Sequence, residues 1–119
     1  LVAEFQQQGV NFILGVDAFG TVIPGFSIHR ELELLVNSGL TPFQALQTGT
    51  DNVAKYLNEE NERGTISEGK LADFIIIADN PLENINNTKN VQSVYTQNRW
   101  HDENKLKALL LEAVELNKQ

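Results

Sequence analysis

Apolar positions near the start of the chain recur first with a helical period and then with a strand period. Residues 2–8 fit the end of a helix, and Gly9 occupies the position that commonly stops one. Residues 10–16 then alternate as a strand does, with one apolar face and one small or polar face. The apolar face comprises Val10, Phe12, Leu14 and Val16. The small or polar face comprises Asn11, Ile13, Gly15 and Asp17. The second face therefore ends in a carboxylate, that of Asp17, directly after an apolar strand.

Three helices are predicted between residues 27 and 57. Ser27 is placed to cap the first, whose apolar residues recur at helical spacing until Gly39. The sequence TPFQ at 41–44 combines a capping threonine, a proline at the first helical position and the glutamine of a capping box. Thr50 is placed to cap the third helix. The predicted helices cover 28–38, 42–48 and 51–57.

The second half of the chain predicts two short strands and a last helix. The β-branched run at 74–77 is a buried strand that Asp79-Asn80-Pro81 ends, because proline cannot continue a strand ladder. The run at 91–96 predicts another strand, with Asn98 as a turn residue after it. Asp102 then caps a helix with an apolar stripe that requires a covering surface. The stripe consists of Leu106, Leu109, Leu110, Ala113 and Val114.

Composition restricts the partners and the chemistry. The 119 residues are 41% hydrophobic, which suits one soluble domain or part of a larger one. A net charge of -7 without a basic cluster argues against nucleic acid and anionic membranes, so small molecules or proteins are the expected partners. Cysteine is absent, which excludes disulfides, thiolate nucleophiles and cysteine-based zinc sites. The apolar runs are too short to cross a bilayer and no signal peptide begins the chain, so the compartment stays open.

Several motifs, in order along the chain, resemble one enzyme family. They are LGVDA at 14–18, PGFSIHRELELLVNSGLTPFQALQTGTDNVAKYL at 24–57, GTISEGKLADFIIIADNPLENI at 64–85 and VQSVYTQNRW at 91–100. Together they resemble the C-terminal part of the metal-dependent amidohydrolase superfamily, in the imidazolonepropionase-like and Xaa-Pro dipeptidase-like branch. The resemblance covers about residues 9–100. It implies a (β/α)8 barrel that carries the catalytic site, beside a small β-sandwich built from both ends of the chain.

The resemblance implies a role for Asp17. This residue falls where the family has an aspartate at the C-terminal end of the eighth barrel strand, beside a mononuclear or binuclear metal centre. The family's aspartate binds metal and takes a proton from the metal-bound water, so Asp17 is the expected catalytic residue and metal ligand. Strand parity independently points Asp17 to the side of Ile13 and Gly15, which a barrel would turn inward. From the residues alone, an aspartate that satisfies the backbone amides of its own loop is the simpler interpretation.

Other polar residues invite similar interpretations. His29 lies in a PGxSxHxEL setting that similar family members share, which implies substrate binding or support of the loop; the alternative is a partly exposed first-turn histidine. Arg30 could reach a substrate carboxylate, although a solvated helix face explains it more simply. His101 is expected on the surface. Lys70 and Asp73 of GKLADF are expected to support a turn and a strand.

The family's other metal donors are missing from this sequence. The family uses a His-x-His pair, often a carboxylated lysine or a glutamate, and two further histidines, whereas no histidine precedes His29 here. A (β/α)8 barrel takes about 250 residues. The chain is therefore predicted to be an α/β fragment of such a barrel enzyme. Its parts are the last barrel strand and following helices over 1–64, a β-sandwich segment over 65–100 and a C-terminal helix over 101–119.

Two functional interpretations stay open. The intact protein would hydrolyse amide or cyclic amide bonds of a small-molecule substrate with a divalent metal, zinc being expected, although deamination and phosphotriester hydrolysis use the same chemistry. The fragment alone is expected to be inactive and to hold no metal. Alternatively, the chain is a non-catalytic interaction or structural module derived from an amidohydrolase tail. In both cases the apolar faces of residues 10–16 and of the last helix predict self-association.

Overall fold

The computed structural model describes residues 1–16 and 25–116, and the elements that follow lie within these ranges. In chain order they are α1 (Val2–Gln7), α2 (Ser27–Asn37), α3 (Pro42–Thr48), α4 (Asp51–Tyr56), β1 (Phe74–Ile77), a 3₁₀ helix (Ile85–Lys89), β2 (Val91–Thr96), β3 (Arg99–His101) and α5 (Glu103–Leu116). The predicted helices and the two strands of the second half are confirmed, but the strand at 74–77 is not buried as predicted, because Ile75 and Ile76 are exposed. The short β3 and the 3₁₀ helix are additional elements that the sequence pattern did not indicate.

Residues 10–16 do not form the predicted strand, although the predicted alternation is present. A strand needs a neighbouring backbone to complete its hydrogen-bond ladder. These residues instead form hydrogen bonds with two helix carbonyls, those of Phe5 and Thr48, and with the side chains of Glu31 and Asn52. The half-buried members are Phe12, Leu14 and Val16, and the exposed ones are Asn11, Ile13 and Gly15. The two predicted faces are therefore correct at these six positions, whereas Val10 is exposed.

The capping box predicted at the start of α3 is confirmed. The Gln44 N–H donates to the Thr41 hydroxyl at 3.2 Å, and the Thr41 N–H donates to Gln44 Oε1 at 2.9 Å. Of the caps predicted for α2 and α4, Thr50 is the N-cap residue of α4 but forms no side-chain capping bond, and the prediction for Ser27 is wrong. Ser27 is the first residue of α2 rather than its cap, because the preceding backbone is already near-helical, with φ -93° and ψ -40°. Thr50 does precede α4, but its hydroxyl donates to the Leu46 carbonyl at 2.9 Å and so ties α4 to the end of α3.

A small hydrophobic core lies where α2, α3 and the 3₁₀ helix meet. Leu32, Ala45 and Ile85 are buried there and form one cluster. Half-buried apolar residues pack against this cluster, namely Leu14, Leu35, Val36 and Leu46. Leu14 thereby attaches the segment before Asp17 to the core.

The three strands form one antiparallel sheet in the order β1-β2-β3. Phe74 pairs with Tyr95 across β1 and β2, and Tyr95 pairs with Trp100 across β2 and β3. The three aromatic rings lie together, with centroids 5.4 Å apart for Phe74 and Tyr95 and 6.2 Å apart for Tyr95 and Trp100. Aromatic neighbours across strands are a common source of sheet stability.

The hairpin between β2 and β3 is a two-residue turn at Gln97 and Asn98. Both residues have positive φ, 49° and 59° respectively, as a tight hairpin turn with the twist of its strands requires. Asn98 is therefore confirmed as a turn residue. Asp73 supports the same hairpin, because its Oδ1 accepts the Thr96 hydroxyl at 2.7 Å and the Gln97 N–H at 3.3 Å.

The last helix leaves most of its apolar stripe uncovered by the described residues. Asp102 caps α5 as predicted, since its Oδ1 accepts the Lys105 N–H at 2.8 Å. Leu106 is half-buried, but Leu109, Leu110 and Val114 are 41%, 49% and 53% exposed. Among the described residues, no helix is long and apolar enough to cross a membrane. The predicted self-association stays a prediction.

A second apolar surface is an open groove of about 710 Å³ between α4 and the strands β1 and β2. Its apolar lining includes Val53, Leu57, Ile66, Leu71, Phe74 and Tyr95. The radius of gyration, 15.6 Å, exceeds the value of about 13.5 Å expected for a compact domain of this length.

Candidate functional site

Two hydrogen bonds from the helical region hold the segment that precedes Asp17 in the sequence. The Leu14 N–H donates to the Thr48 carbonyl at 2.9 Å. The Asn52 side-chain amide donates to the Phe12 carbonyl at 2.9 Å. Both partners belong to α3 and α4, so one edge of the segment is fixed against these helices.

A third hydrogen bond joins the segment to α2. The Gly15 N–H donates to Glu31 Oε1 at 3.1 Å, across sixteen positions of the sequence. The Glu31 side chain is half-buried, and its Oε2 is buried without a hydrogen-bond partner in the described part of the chain. Successive N–H groups of an extended chain point to opposite edges. Leu14 and Gly15 are therefore held from two sides.

His29 lies in the first turn of α2 and contacts the 3₁₀ helix. Its Nδ1 is 3.0 Å from the Thr88 hydroxyl oxygen, and that hydroxyl donates its hydrogen to the Ile85 carbonyl at 2.8 Å. Because a hydroxyl has only one hydrogen, the Thr88 oxygen accepts from His29. Nδ1 therefore carries a proton, and Nε2 of the neutral ring keeps a lone pair.

A cavity of about 340 Å³ lies beside this histidine, lined by Phe26, His29, Arg30 and Lys89. Partial burial, and then the positive charge of Lys89, lower the pKa of His29 from its usual 6.5. The imidazole is accordingly neutral at pH 7. The Arg30 guanidinium is paired with Glu33, whose Oε2 lies 2.6 Å from its Nη1, and the Arg30 side chain is 64% exposed.

A metal site is not built by the described residues alone. Within 1–16 and 25–116, no three histidine, aspartate or glutamate side chains come together as a metal ion would require. Asp17 lies outside these ranges. The described residues therefore do not fit a metal centre by themselves.

The family of the chain follows from comparison with known proteins. The amidohydrolase family matches residues 2–100. The chain belongs to the amidohydrolase family. This membership confirms the resemblance that the motifs of the sequence indicated.

Several amidohydrolase-family and related proteins are similar to this chain. An adenine deaminase from Mesorhizobium japonicum is 37% identical over 71 residues, which cover 58% of this chain and 12% of that protein. The crystal structure of a Xaa-Pro dipeptidase with methionine bound in its active site is 30% identical with a TM-score of 0.74, covering 85% of this chain and 24% of that one. The structure of molinate hydrolase is 26% identical with a TM-score of 0.72, and the match covers 83% of this chain and 25% of that one. The chain thus spans only a small part of the length of these relatives.

The structure allows some of the predictions for individual polar residues to be compared with observation, and leaves others as predictions. Asp17 lies outside the described residues, so its catalytic and metal-binding roles stay predictions. His29 lies at the cavity, and its role in substrate binding also stays a prediction. The exposure and ion pair of Arg30 fit the solvated helix face that the sequence favoured. The expectation for His101 is wrong, because β3 holds it half-buried, with Nδ1 buried and unpartnered within the described ranges.

Two residues near the site were missed by reasoning from the sequence. Glu31 stands two positions after His29 in the PGxSxHxEL motif, and its place in that motif was the available signal. Thr88 carried no signal, because it lies 59 positions from His29 in an element that the pattern did not predict.

Lys70 has the expected supporting contact, since its Nζ donates to the Thr65 hydroxyl at 2.6 Å.

The lowered pKa of His29 predicts a pH dependence of stability. The unfolded histidine gains its proton at a higher pH than the folded one, so the free energy of unfolding falls as pH drops below 6.5. This loss levels off once pH lies below the folded pKa. Chemical denaturation across this range should show a smaller loss of stability for His29→Gln than for wild type. Lys89→Met should remove part of the pKa shift of His29 and therefore give a loss between those two. Identical profiles for wild type and His29→Gln would contradict the prediction.

Proposed function

We propose that this chain forms the C-terminal part of a metal-dependent hydrolase acting on carbon–nitrogen bonds of small molecules. The observation that carries the proposal is the amidohydrolase match over residues 2–100. Two similar proteins are named as an adenine deaminase and a Xaa-Pro dipeptidase, and both names describe cleavage of a carbon–nitrogen bond. In the intact protein, residues 1–64 would complete the (β/α)8 barrel, 65–100 would contribute to a β-sandwich and 101–119 would form the C-terminal helix.

Asp17 is the proposed catalytic carboxylate. It follows directly on the segment whose Leu14 and Gly15 amides are bound by Thr48 and Glu31. Aspartates ordinarily ionise well below neutral pH. An Asp17 carboxylate oxygen can then accept a proton from the water that attacks the scissile carbonyl. Catalytic groups of barrel enzymes come from the C-terminal ends of the strands, and Asp17 would hold such a place if residues 10–16 paired with a neighbouring barrel strand in the intact protein.

His29 is the proposed substrate contact. The Thr88 hydroxyl oxygen accepts a hydrogen bond from the Nδ1–H group, so the neutral Nε2 is an acceptor for a substrate N–H or O–H group. The cavity beside it gives a small molecule access to this side of α2. Removal of His29 should therefore weaken substrate binding more than it slows the chemical step.

A divalent metal, with zinc the candidate, supplies an acidified water to hydrolases of this kind. Asp17 is the proposed donor from this chain. The described residues provide no complete donor set. The remaining ligands would come from other segments of the intact protein, and the 119-residue chain alone would be inactive.

The proposed function is tested on the intact protein with two substrate types, an Xaa-Pro dipeptide and adenine. We expect turnover of at least one, loss of that turnover on chelation and recovery with added zinc. Metal analysis before and after chelation links activity to metal content. A folded, metal-loaded protein with no turnover of either substrate would favour the non-catalytic module instead.

A further inference from the structure

Glu31 connects α2 to the peptide two positions before Asp17. Its Oε1 accepts the Gly15 N–H at 3.1 Å. The side chain comes from the first half of α2, whose Leu32 is part of the core, so the helix end that carries Glu31 is itself fixed by packing. The hydrogen bond therefore links the backbone at Gly15 to a helix that is packed into the core.

Fold stability alone gives a weak reason for a carboxylate here. Glu31 Oε2 is buried and has no hydrogen-bond partner among residues 1–16 and 25–116. Burying part of a charged group without a partner is unfavourable, and an apolar side chain of similar size would avoid that cost. The Oε1···N distance of 3.1 Å is that of an ordinary hydrogen bond, so the side chain contributes an acceptor at the right reach for the Gly15 N–H. This favours a role in fixing the peptide rather than in filling space.

We propose that Glu31 is a positioning residue, whose carboxylate fixes the Gly15 peptide and thereby the chain that leads into Asp17. The inference rests on the proposed function, since it assigns to Glu31 an effect on the Asp17 step. Glu31 acts through the backbone and touches no reacting atom in this account. A misplacement of about 1 Å at a catalytic group can cost about 100-fold in rate. A single hydrogen bond to a peptide two positions before Asp17 in the sequence can therefore matter to turnover.

The test compares three variants of Glu31 in the intact protein. Glu31→Gln keeps the length and one acceptor oxygen, so kcat should stay within about threefold of wild type. Glu31→Asp keeps the charge but shortens the side chain by one methylene, and Glu31→Ala removes the acceptor. Both should lower kcat by about 10- to 100-fold with KM changed less than about threefold, the pattern of a positioning defect. Glu33→Ala is the matched control, because Glu33 lies on the same helix and binds Arg30 instead of Gly15.

A second measurement does not depend on activity. Hydrogen exchange of the Gly15 amide should be faster in Glu31→Ala and Glu31→Asp than in wild type, and unchanged in Glu31→Gln and Glu33→Ala. If Glu31→Ala does not fold, the exchange rates of Glu31→Gln and Glu31→Asp still provide the comparison. Activity of Glu31→Asp together with loss in Glu31→Gln would overturn the inference, because charge rather than reach would then matter.

Failure of this inference is distinct from failure of the proposed function. An active wild type in which Glu31→Ala behaves like Glu33→Ala removes only the role of Glu31. A wild type without metal-dependent turnover removes the proposed function, and the role of Glu31 in positioning Asp17 falls with it. Slow Gly15 exchange in that case would identify Glu31 as a structural contact alone.

Discussion

Replacement of Asp17 by asparagine in the intact protein is expected to lower kcat by about 10²–10⁴-fold, the contribution that a positioned proton acceptor commonly makes. The amide is close to the carboxylate in size, so packing around it should change little. It cannot accept the proton at neutral pH, and it is a poorer ligand for a divalent cation. Steady-state kinetics together with metal analysis separate these two losses.

The matched control for Asp17 is Asp79→Asn. Asp79 also follows a short apolar run, but it is exposed and its Oδ2 accepts the Asn90 side-chain amide at 3.1 Å. We expect kcat of Asp79→Asn within about twofold of wild type, because exposed surface substitutions usually have small effects. An Asp17→Asn enzyme with near-normal kcat would remove Asp17 from the proposed mechanism, whatever the metal content.

Replacement of Gly64 by alanine is expected to destabilise the fold by about 3 kcal/mol, because backbone strain and overpacking add at this position. Gly64 has φ +94°, and a Cβ built there lies 2.5 Å from the Ala54 Cβ. Ala54 is only 2% exposed and belongs to α4, so it has little freedom to move away. Chemical denaturation of the variant and the wild type measures the difference directly.

Gly69→Ala separates the two causes. Gly69 has a similar φ of +87°, but no atom lies within 4 Å of its built Cβ, so it incurs backbone strain alone. We expect a loss of about 1 kcal/mol for Gly69→Ala. Adding Ala54→Gly to the Gly64→Ala protein should restore the part caused by the clash, which a double-mutant cycle isolates. Equal losses at Gly64 and Gly69 would show that the contact with Ala54 is unimportant.

The elements predicted correctly are those whose signals are local. The capping box of Thr41 and Gln44 is contained in four residues, and both of its hydrogen bonds form. Asn98 as a turn residue and Asp102 as a cap depend on neighbours within three positions. The three-residue β3 was missed because so short a run shows no period, and its position was set by pairing with β2. The helical backbone before Ser27 likewise moved the start of α2 from its expected place.

The candidate site divides in the same way. The motifs around Asp17 and His29 were sufficient to indicate the amidohydrolase family, because they lie in order along the chain. The partners of the site could not be predicted, since they are distant in sequence. His29 meets Thr88 across 59 positions, and Gly15 meets Glu31 across sixteen. Hydrogen-bond partners at such separations meet only because the elements that carry them pack together.

Local patterns were therefore sufficient to predict the helices, the turns, the two longer strands, the alternating faces of residues 11–16 and the family. Each of these depends on side-chain period, capping or motif order, which are properties of neighbouring residues. Three features depend instead on packing: residues 10–16 form no strand, His101 is half-buried and Glu31 holds the Gly15 peptide. A strand ladder, a buried ring and a side-chain hydrogen bond each require a partner, and packing brings that partner from a distant part of the chain.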